Sequence, residues 1–292
     1  MVPSSDSPAV CIPHGLVNTR WKEDFEAFLR QRDIAVRWGN PGTYQTFLKG
    51  KRRILDEYCL PLKLFAGQVL EIAEKTDLNV FIPLILGNSG KNCFLCPLQF
   101  RLGDIMINSG LLPPERLFSP CFKFDDNLRL WFHGAGLPTP GASRALSEES
   151  YTGNKPVIAV IGRSYVLEDP FLSQGIPGLL RGMGFDVVLC GGKSGGGGNG
   201  TLHKYAHFAL TAGLLREAKT LFCGANIAGA VILKPFLCGP DCDIEENLAD
   251  VIPDDRNIPF LVHVIDENRS NEGLRTRLEA FGDLVASVGK GV

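Results

Sequence analysis

Apolar residues recur at helical spacing at Trp21, Phe25, Phe28 and Leu29, and short β-branched runs flank them at Ala9 to Pro13 and Ile34 to Trp38. A period that passes from strand-like to helical and back predicts strand, amphipathic helix, strand. The same order returns in the second half, with Val157 to Ile161 as strand, Leu172 to Met183 as helix and Asp186 to Cys190 as strand. Strands joined by a helix pair in parallel, so the pattern predicts an α/β chain with two parallel-sheet domains. Further strands are predicted at Asn79 to Leu84, Arg116 to Ser119, Ala230 to Leu233 and Phe260 to Ile265. Helices are predicted at Leu62 to Lys75, Leu98 to Ser109, Leu202 to Glu217, Ile244 to Val251 and Leu274 to Val288. Between the halves, Leu137 to Pro156 is rich in Pro, Gly, Ser and charge with little apolar periodicity, which marks a linker or surface excursion. The expected division is residues 1–136 for the first α/β domain, 137–156 for the linker and 157–292 for the second domain.

Composition narrows the partners. Hydrophobic residues make up 45% and charged residues 21%, with a formal net charge of -2. That is the profile of a globular protein with no bulk attraction for nucleic acid or an anionic membrane. The opening MVPSSDSPAVCIPHG has neither a basic n-region nor a long apolar h-region, and no apolar run reaches the length that spans a bilayer. The expectation is a cytoplasmic protein without nucleic-acid or membrane partners. Nine cysteines are an odd number in a chain large enough to need no staples, so metal or redox chemistry explains them better than a disulfide framework.

Three of these cysteines stand beside a proline or a Gly-Pro where an apolar run gives out: Cys59 in DEYCLP, Cys96 in CFLCPLQ and Cys238 in FLCGPDC. Thiolates are the usual ligands of iron-sulfur clusters, and three gathered at one point leave one iron of a cubane open. Any one of them alone is as readily a small buried hydrophobe; the weight lies in the trio. Cys96 and Cys238 follow predicted buried strands, and ligands of open parallel sheets bind at that edge. Pro61 and Pro97 suit the first turn of a helix, which predicts that Cys59 and Cys96 sit at helix N-termini with lowered thiol pKa values.

Other constellations compete. Cys93, Cys96, Cys238 and Cys242 have spacings that permit a closed four-thiolate zinc site, and Cys93 with Cys96 matches a thioredoxin-like pair less well. The run from Gly191 to Gly200 is not a Walker loop, because Val187 stands where its first glycine is required; it reads as a loop ordered by a partner or a ligand phosphate. His203 and His207 lie four apart but lack the glutamate of a zincin motif, so they read as packing or surface histidines. His14 in IPHG and Arg163 in IGRSY end the first strand of each half and can reach the cysteine cleft, where a guanidinium could hold a carboxylate, a phosphate or a cluster sulfide. Each is equally readable as a loop side chain with one local hydrogen bond. Near the C-terminus, Asp266 and Glu267 end a strand and suit a structural or site role, while Arg275, Arg277 and Glu279 read as a solvated helix face with i to i+4 pairs.

The segments DEYCLPLKLFAGQVLEIAEKTDLNVFIPLI, CPLQ, IGRSY, KPFLCGPDC and DENRSNEGLRTRLEAF resemble the 2-hydroxyacyl-CoA dehydratase component and CoA-enzyme activase-associated superfamily, which includes the double-cubane cluster proteins. The likeness runs from about residue 9 to 287. It implies two Rossmann-like domains with an iron-sulfur cluster in the cleft between them, held by Cys59, Cys96 and Cys238. It also implies a partner, an ATP-hydrolysing activator of the actin-like fold that delivers one electron at very low potential. In dehydratases that electron makes a substrate ketyl radical; in double-cubane members two cubanes share a bridging sulfide. The cofactor implied is therefore a 4Fe-4S cluster or an 8Fe-9S double cubane, for which Cys93, Cys121 and Cys242 would complete six thiolates. The chain is shorter than a typical dehydratase subunit, shows no acyl-CoA pocket motif and lacks fused actin-like ATPase halves, so it is not expected to hydrolyse ATP itself.

The resulting expectation is a cytoplasmic iron-sulfur redox protein of an anaerobic type, reducing a small-molecule or protein acceptor. Whether it is itself a reductase or a dehydratase-like component the sequence leaves open. A homodimer would help shield the cluster from water. The rivals are a structural-zinc interaction protein and, third, an acyl-CoA or nucleotide binder without a cluster.

Overall fold

In the computed structural model the described residues are 8–17, 21–87, 95–124, 130–132, 135–136, 155–192, 208–224, 226–253, 255–267 and 271–288. The first half opens with β1 (Ala9–Ile12), α1 (Lys22–Arg30), β2 (Ala35–Trp38), α2 (Tyr44–Lys51) and α3 (Leu60–Lys75). It continues through β3 (Asn79–Phe81), β4 (Leu84–Gly87), α4 (Pro97–Phe100), α5 (Leu102–Asn108), β5 (Leu117–Phe118), β6 (Cys121–Phe124), β7 (Leu130–Phe132) and β8 (Ala135–Gly136). Strands order as β2-β1-β3-β5 in a wholly parallel sheet. A second sheet, β4-β6-β7-β8, is parallel between β4 and β6 and antiparallel thereafter.

Proline separates these two sheets. The ladder fails at Pro83 and Pro120, which have no N–H to give, yet Ile82 N donates to Phe118 O at 3.1 Å and Leu84 N to Pro120 O at 3.0 Å. The same two chain segments therefore run side by side through the break, and the strand expected at Asn79 to Leu84 becomes β3 and β4. The antiparallel β6–β8 ribbon departs from the expected all-parallel first half; β8 is 2 residues long and β7 is 3, too short for alternation to declare itself. Aromatic rings fill the layer beneath: Phe28 of α1 stands edge-on to Phe122 at 4.9 Å and to Phe132 at 4.6 Å between centroids.

The second half comprises β9 (Val157–Ile161), α6 (Ser164–Leu167), α7 (Pro170–Ser173), α8 (Ile176–Gly182), β10 (Asp186–Cys190) and α9 (Ala209–Gly224). It closes with β11 (Ile227–Pro235), α10 (Gly239–Leu248), β12 (Phe260–Ile265) and α11 (Asn271–Val288). Its sheet, β10-β9-β11-β12, is parallel throughout. The single helix expected over Leu172 to Met183 is two, α7 and α8, because Gln174 (φ 51) and Gly175 (φ 68) turn left-handed between them and Pro177 suits only a first turn. Of the helix expected from Leu202, residues 201–207 lie outside the described residues, and α9 ends seven positions later than expected, at Gly224 rather than Glu217. The expected linker also lies almost wholly outside them. All strands of the first two sheets come from residues 9–136 and all strands of the third from 157–265.

The halves pack on each other. Gly42 N donates to Asp169 Oδ2 at 2.7 Å, Leu60 N to Phe236 O at 3.3 Å and Lys63 Nζ to Glu267 Oε1 at 2.8 Å. Phe47 stacks on Phe171 at 5.6 Å, and one apolar cluster runs from Val10 to Val285. Glu267 thus takes the structural role, tying α3 to the end of β12. Among the described residues no helix is long and apolar enough to cross a membrane.

Candidate functional site

In the sheet of the second half β9 lies between β10 and β11, so the loops leaving β9 and β11 part company above the carboxyl edge and open a crevice there. Arg163 follows β9 and Cys238 follows β11. In the first half β1 lies between β2 and β3, and the loop after β1 carries His14 and Leu16. The chain therefore presents two strand-edge crevices from which side chains can meet.

Each of the three singled-out cysteines is the N-cap of a helix. Cys59 caps α3, Cys96 caps α4 and Cys238 caps α10, each with proline at the first or second helical position. Proline costs nothing there, since the first-turn N–H has no intrahelical acceptor. Leu237, just before Cys238, has φ 62, a left-handed conformation that costs a bulky residue about 1–3 kcal/mol. With Cys238 N donating to Pro235 O at 3.1 Å, this tight turn reverses the chain at the end of β11 and sets the Cys238 position.

Cys59, Cys96 and Cys238 line one cavity, about 460 Å³ including its open mouth, together with Arg163 and Tyr165. Leu16, Leu62 and Leu210 supply apolar wall. The cavity takes two cysteines from the first half and one from the second, so it sits at the seam between them. Burial pushes the Cys59 thiol up to about 11, and the neighbouring Cys96 and Asp241 add to the shift against an opposing backbone hydrogen bond from Leu62. Burial likewise raises Cys238, with Asp241 adding and Arg163 opposing. The lowering expected at Cys59 from a helix N-terminus is thereby overturned: loss of hydration outweighs the partial charge of α3.

Arg163 is 9% exposed. Its Nε donates to Asp241 Oδ1 at 2.6 Å and its Nη2 to Thr211 Oγ1 at 2.9 Å, and the Thr211 hydroxyl donates onward to Pro240 O at 3.1 Å. Burial works against the guanidinium charge, but Asp241, then Tyr165 and Cys238, outweigh it and hold the group more firmly cationic than in water. Asp241 is fully buried and its Oδ2 has no hydrogen-bond partner. Burial also raises the Tyr165 phenol, and the neighbouring Cys238 adds to that. Asp241, Thr211 and Tyr165 were not singled out from the sequence; Asp241 and Tyr165 lie within CGPD and IGRSY, but only the fold brings Thr211 to them.

The other expected residues go elsewhere. His14 does not line the cavity: its Nδ1 lies 3.5 Å from Asp169 Oδ2, the same oxygen that accepts from Gly42 N. Cys121 and Cys242 are exposed, and the Cys242 thiol lies 3.8 Å from the Cys238 carbonyl rather than on the cavity wall. Cys93, His203, His207 and residues 193–200 lie outside the described residues. Among the described residues, no group of three or more His, Cys, Asp or Glu side chains is arranged to grip a single metal ion. The three thiols surround a space instead of converging on a point.

Residues 9–147 match the family model described as CoA enzyme activase uncharacterised domain. The match includes Cys59 and Cys96; Cys238 and Arg163 lie beyond it. The first half of the chain is thus similar to CoA-enzyme activase-associated proteins. Among curated proteins none matches the chain.

Proposed function

We propose that the cavity holds an iron-sulfur cluster on Cys59, Cys96 and Cys238, and that the protein receives low-potential electrons and passes them to a small-molecule or protein acceptor. One observation carries this reading: three helix-capping thiols, widely separated in sequence and drawn from both halves, line one cavity beside a buried guanidinium. A zinc ion needs four donors at about 2.3 Å from one centre, whereas a cluster offers each thiolate its own iron and tolerates ligands spread around a space. The donor set fits the cluster, either 4Fe-4S or 8Fe-9S. A bound cluster supplies one-electron chemistry, with one iron open to a further ligand when three thiolates hold it.

The chain's own residues do the rest. Cys59 and Cys238 start as neutral thiols and must give up protons when metal arrives, so loading releases acid. The N-termini of α3 and α10 and the Arg163 charge then favour the thiolates that burial alone disfavours. Asp241 and Thr211 hold the guanidinium in place, and the leucine walls keep water from the sulfurs, which tunes a cluster's potential. The match to a domain named for CoA enzyme activases supports an activator as partner; we assign it to the ATP-hydrolysing, actin-like kind, with a dehydratase-related role and a homodimer as extensions of the same reading. The four-cysteine zinc alternative draws no support from Cys242, whose thiol stays off the cavity wall.

Cys238 is the sharpest single test, because it comes from the half without a family match. Cys238→Ala should abolish iron retention on anaerobic purification while Cys242→Ala keeps it; equal iron in both would remove the second half from the site.

A further inference from the structure

We propose that a second cavity, on the far side of the Arg163 and Tyr165 wall, binds a small monocarboxylic acid. Any part it plays in electron acceptance rests on the redox reading above; the binding itself needs no cluster. This cavity, about 300 Å³ including its open mouth, lies at the carboxyl ends of β9 and β10 against the start of α9. It shares Arg163, Tyr165 and Leu210 with the cysteine cavity and adds Gly191, Gly192 and Leu214.

Arg163 is the charged group of this wall, and Ser164 lines it too. Its Nε and Nη2 are engaged by Asp241 and Thr211, while Nη1 has no hydrogen-bond partner among the described residues. A guanidinium nine-tenths buried, with one arm of its fork open, forgoes a charge-assisted bond that a ligand acceptor would complete. Nη1 and the second N–H of Nη2 together present a fork that favours a planar, bidentate oxygen pair, which is the shape of a carboxylate.

Phosphate fits less well. Anions of that kind are usually cradled by free backbone N–H groups at a strand end, and here Gly191 N already donates to Glu217 Oε1 at 3.2 Å. Asp241 also balances the Arg163 charge, which suits a monoanion better than a dianion. The remaining wall, Leu210, Leu214 and the Tyr165 ring, suits a short apolar chain. The enclosed part of the cavity is small, so that chain has only a few carbons.

The test is calorimetric titration of the metal-free protein with sodium butyrate, its neutral isostere butyramide, and inorganic phosphate. Butyrate should bind at least about tenfold tighter than either of the others, a difference of about 1.4 kcal/mol. Leu214→Phe, which fills the second cavity and leaves the cysteines untouched, should weaken butyrate by a similar factor while iron uptake and circular dichroism stay as in the unaltered protein. Arg163→Gln combined with Asp241→Asn removes the ion pair without stranding a buried charge, and should abolish the preference for the acid over the amide. Equal binding of butyrate and butyramide, tighter binding of phosphate, or no heat with butyrate up to about 10 mM would overturn the assignment. Undiminished butyrate binding by Leu214→Phe would move the site elsewhere and overturn it too. The acid–amide comparison needs no variant, and a protein that binds butyrate but no iron would refute the cluster while leaving this site standing.

Discussion

Two opposed fields act on the Cys59 thiol. The N-terminus of α3 favours its anion, burial disfavours it, and burial prevails, with the pKa raised to about 11. At pH 8 the metal-free thiol is therefore neutral and a poor nucleophile, and its thiolate fraction grows about tenfold per pH unit towards that value. Alkylation by iodoacetamide followed by peptide mass spectrometry should label exposed Cys242 well ahead of Cys59 at pH 8, with the gap closing as pH rises. Equal rates at pH 8 would show that the Cys59 thiol is not desolvated in solution. His263 gives the opposite kind of titration. Burial, then Arg277, lower its pKa below 6.5 despite Asp266, its Nε2 meets Gln174 Oε1 at 3.0 Å, and its Nδ1 is buried without a partner. An unfolded chain takes up this proton near pH 6.5 and the folded one only at lower pH, so the His263 contribution is complete above about 6.5 and falls away as pH drops below it. The melting temperature of the unaltered protein relative to that of His263→Phe should fall between pH 7.5 and pH 5.5; a constant difference would contradict this.

At the scale of elements, the helix pair α2 and α3 carries Cys59. Their backbones touch where Gly50 meets Gly67: a Cβ on Gly67 would stand 1.8 Å from Thr46 O, and one on Gly50 1.9 Å from Lys63 O. Gly67→Ala must push the helices apart and should cost about 1–3 kcal/mol in urea denaturation; no loss would mean the contact is looser than described. The strand–helix–strand openings of both halves were legible because each alternates a β-branched run with a clear apolar stripe. Helix α2 was not, because YQTFLKGK has few apolar positions and is held by its Thr43 cap and by α3 rather than by its own pattern. The break between α7 and α8 was signalled by Gly175 and Pro177 and overridden by the apolar periodicity around them. At the site, Pro61 and Pro97 announced the helix starts after Cys59 and Cys96 from sequence alone, whereas the start of α10 at Gly239 lies five positions before the expected Ile244. The pKa direction at Cys59 was not legible, because it depends on how deeply the other half covers it, and His14 went to Asp169 because a buried carboxylate from the second half was there to meet it.

The molecule as a whole explains why those three thiols can share a space. Asp169 holds the loop before α2, Lys63 of α3 reaches Glu267 at the end of β12, and the Leu60 N–H reaches the Phe236 carbonyl one turn from Cys238. Each tie joins the α2–α3 region of the first half to a segment of the second, so the seam between halves and the cysteine cavity are one construction. The central claim is that this construction holds iron and sulfide. The most direct measurement is the iron, sulfide and zinc content of protein purified without oxygen, with its visible spectrum before and after dithionite, for the unaltered chain and Cys59→Ala. The account predicts iron and sulfide at about four to four or eight to nine per chain and a broad band that bleaches, all lost in Cys59→Ala. Stoichiometric zinc without colour, retained in Cys59→Ala, would contradict it.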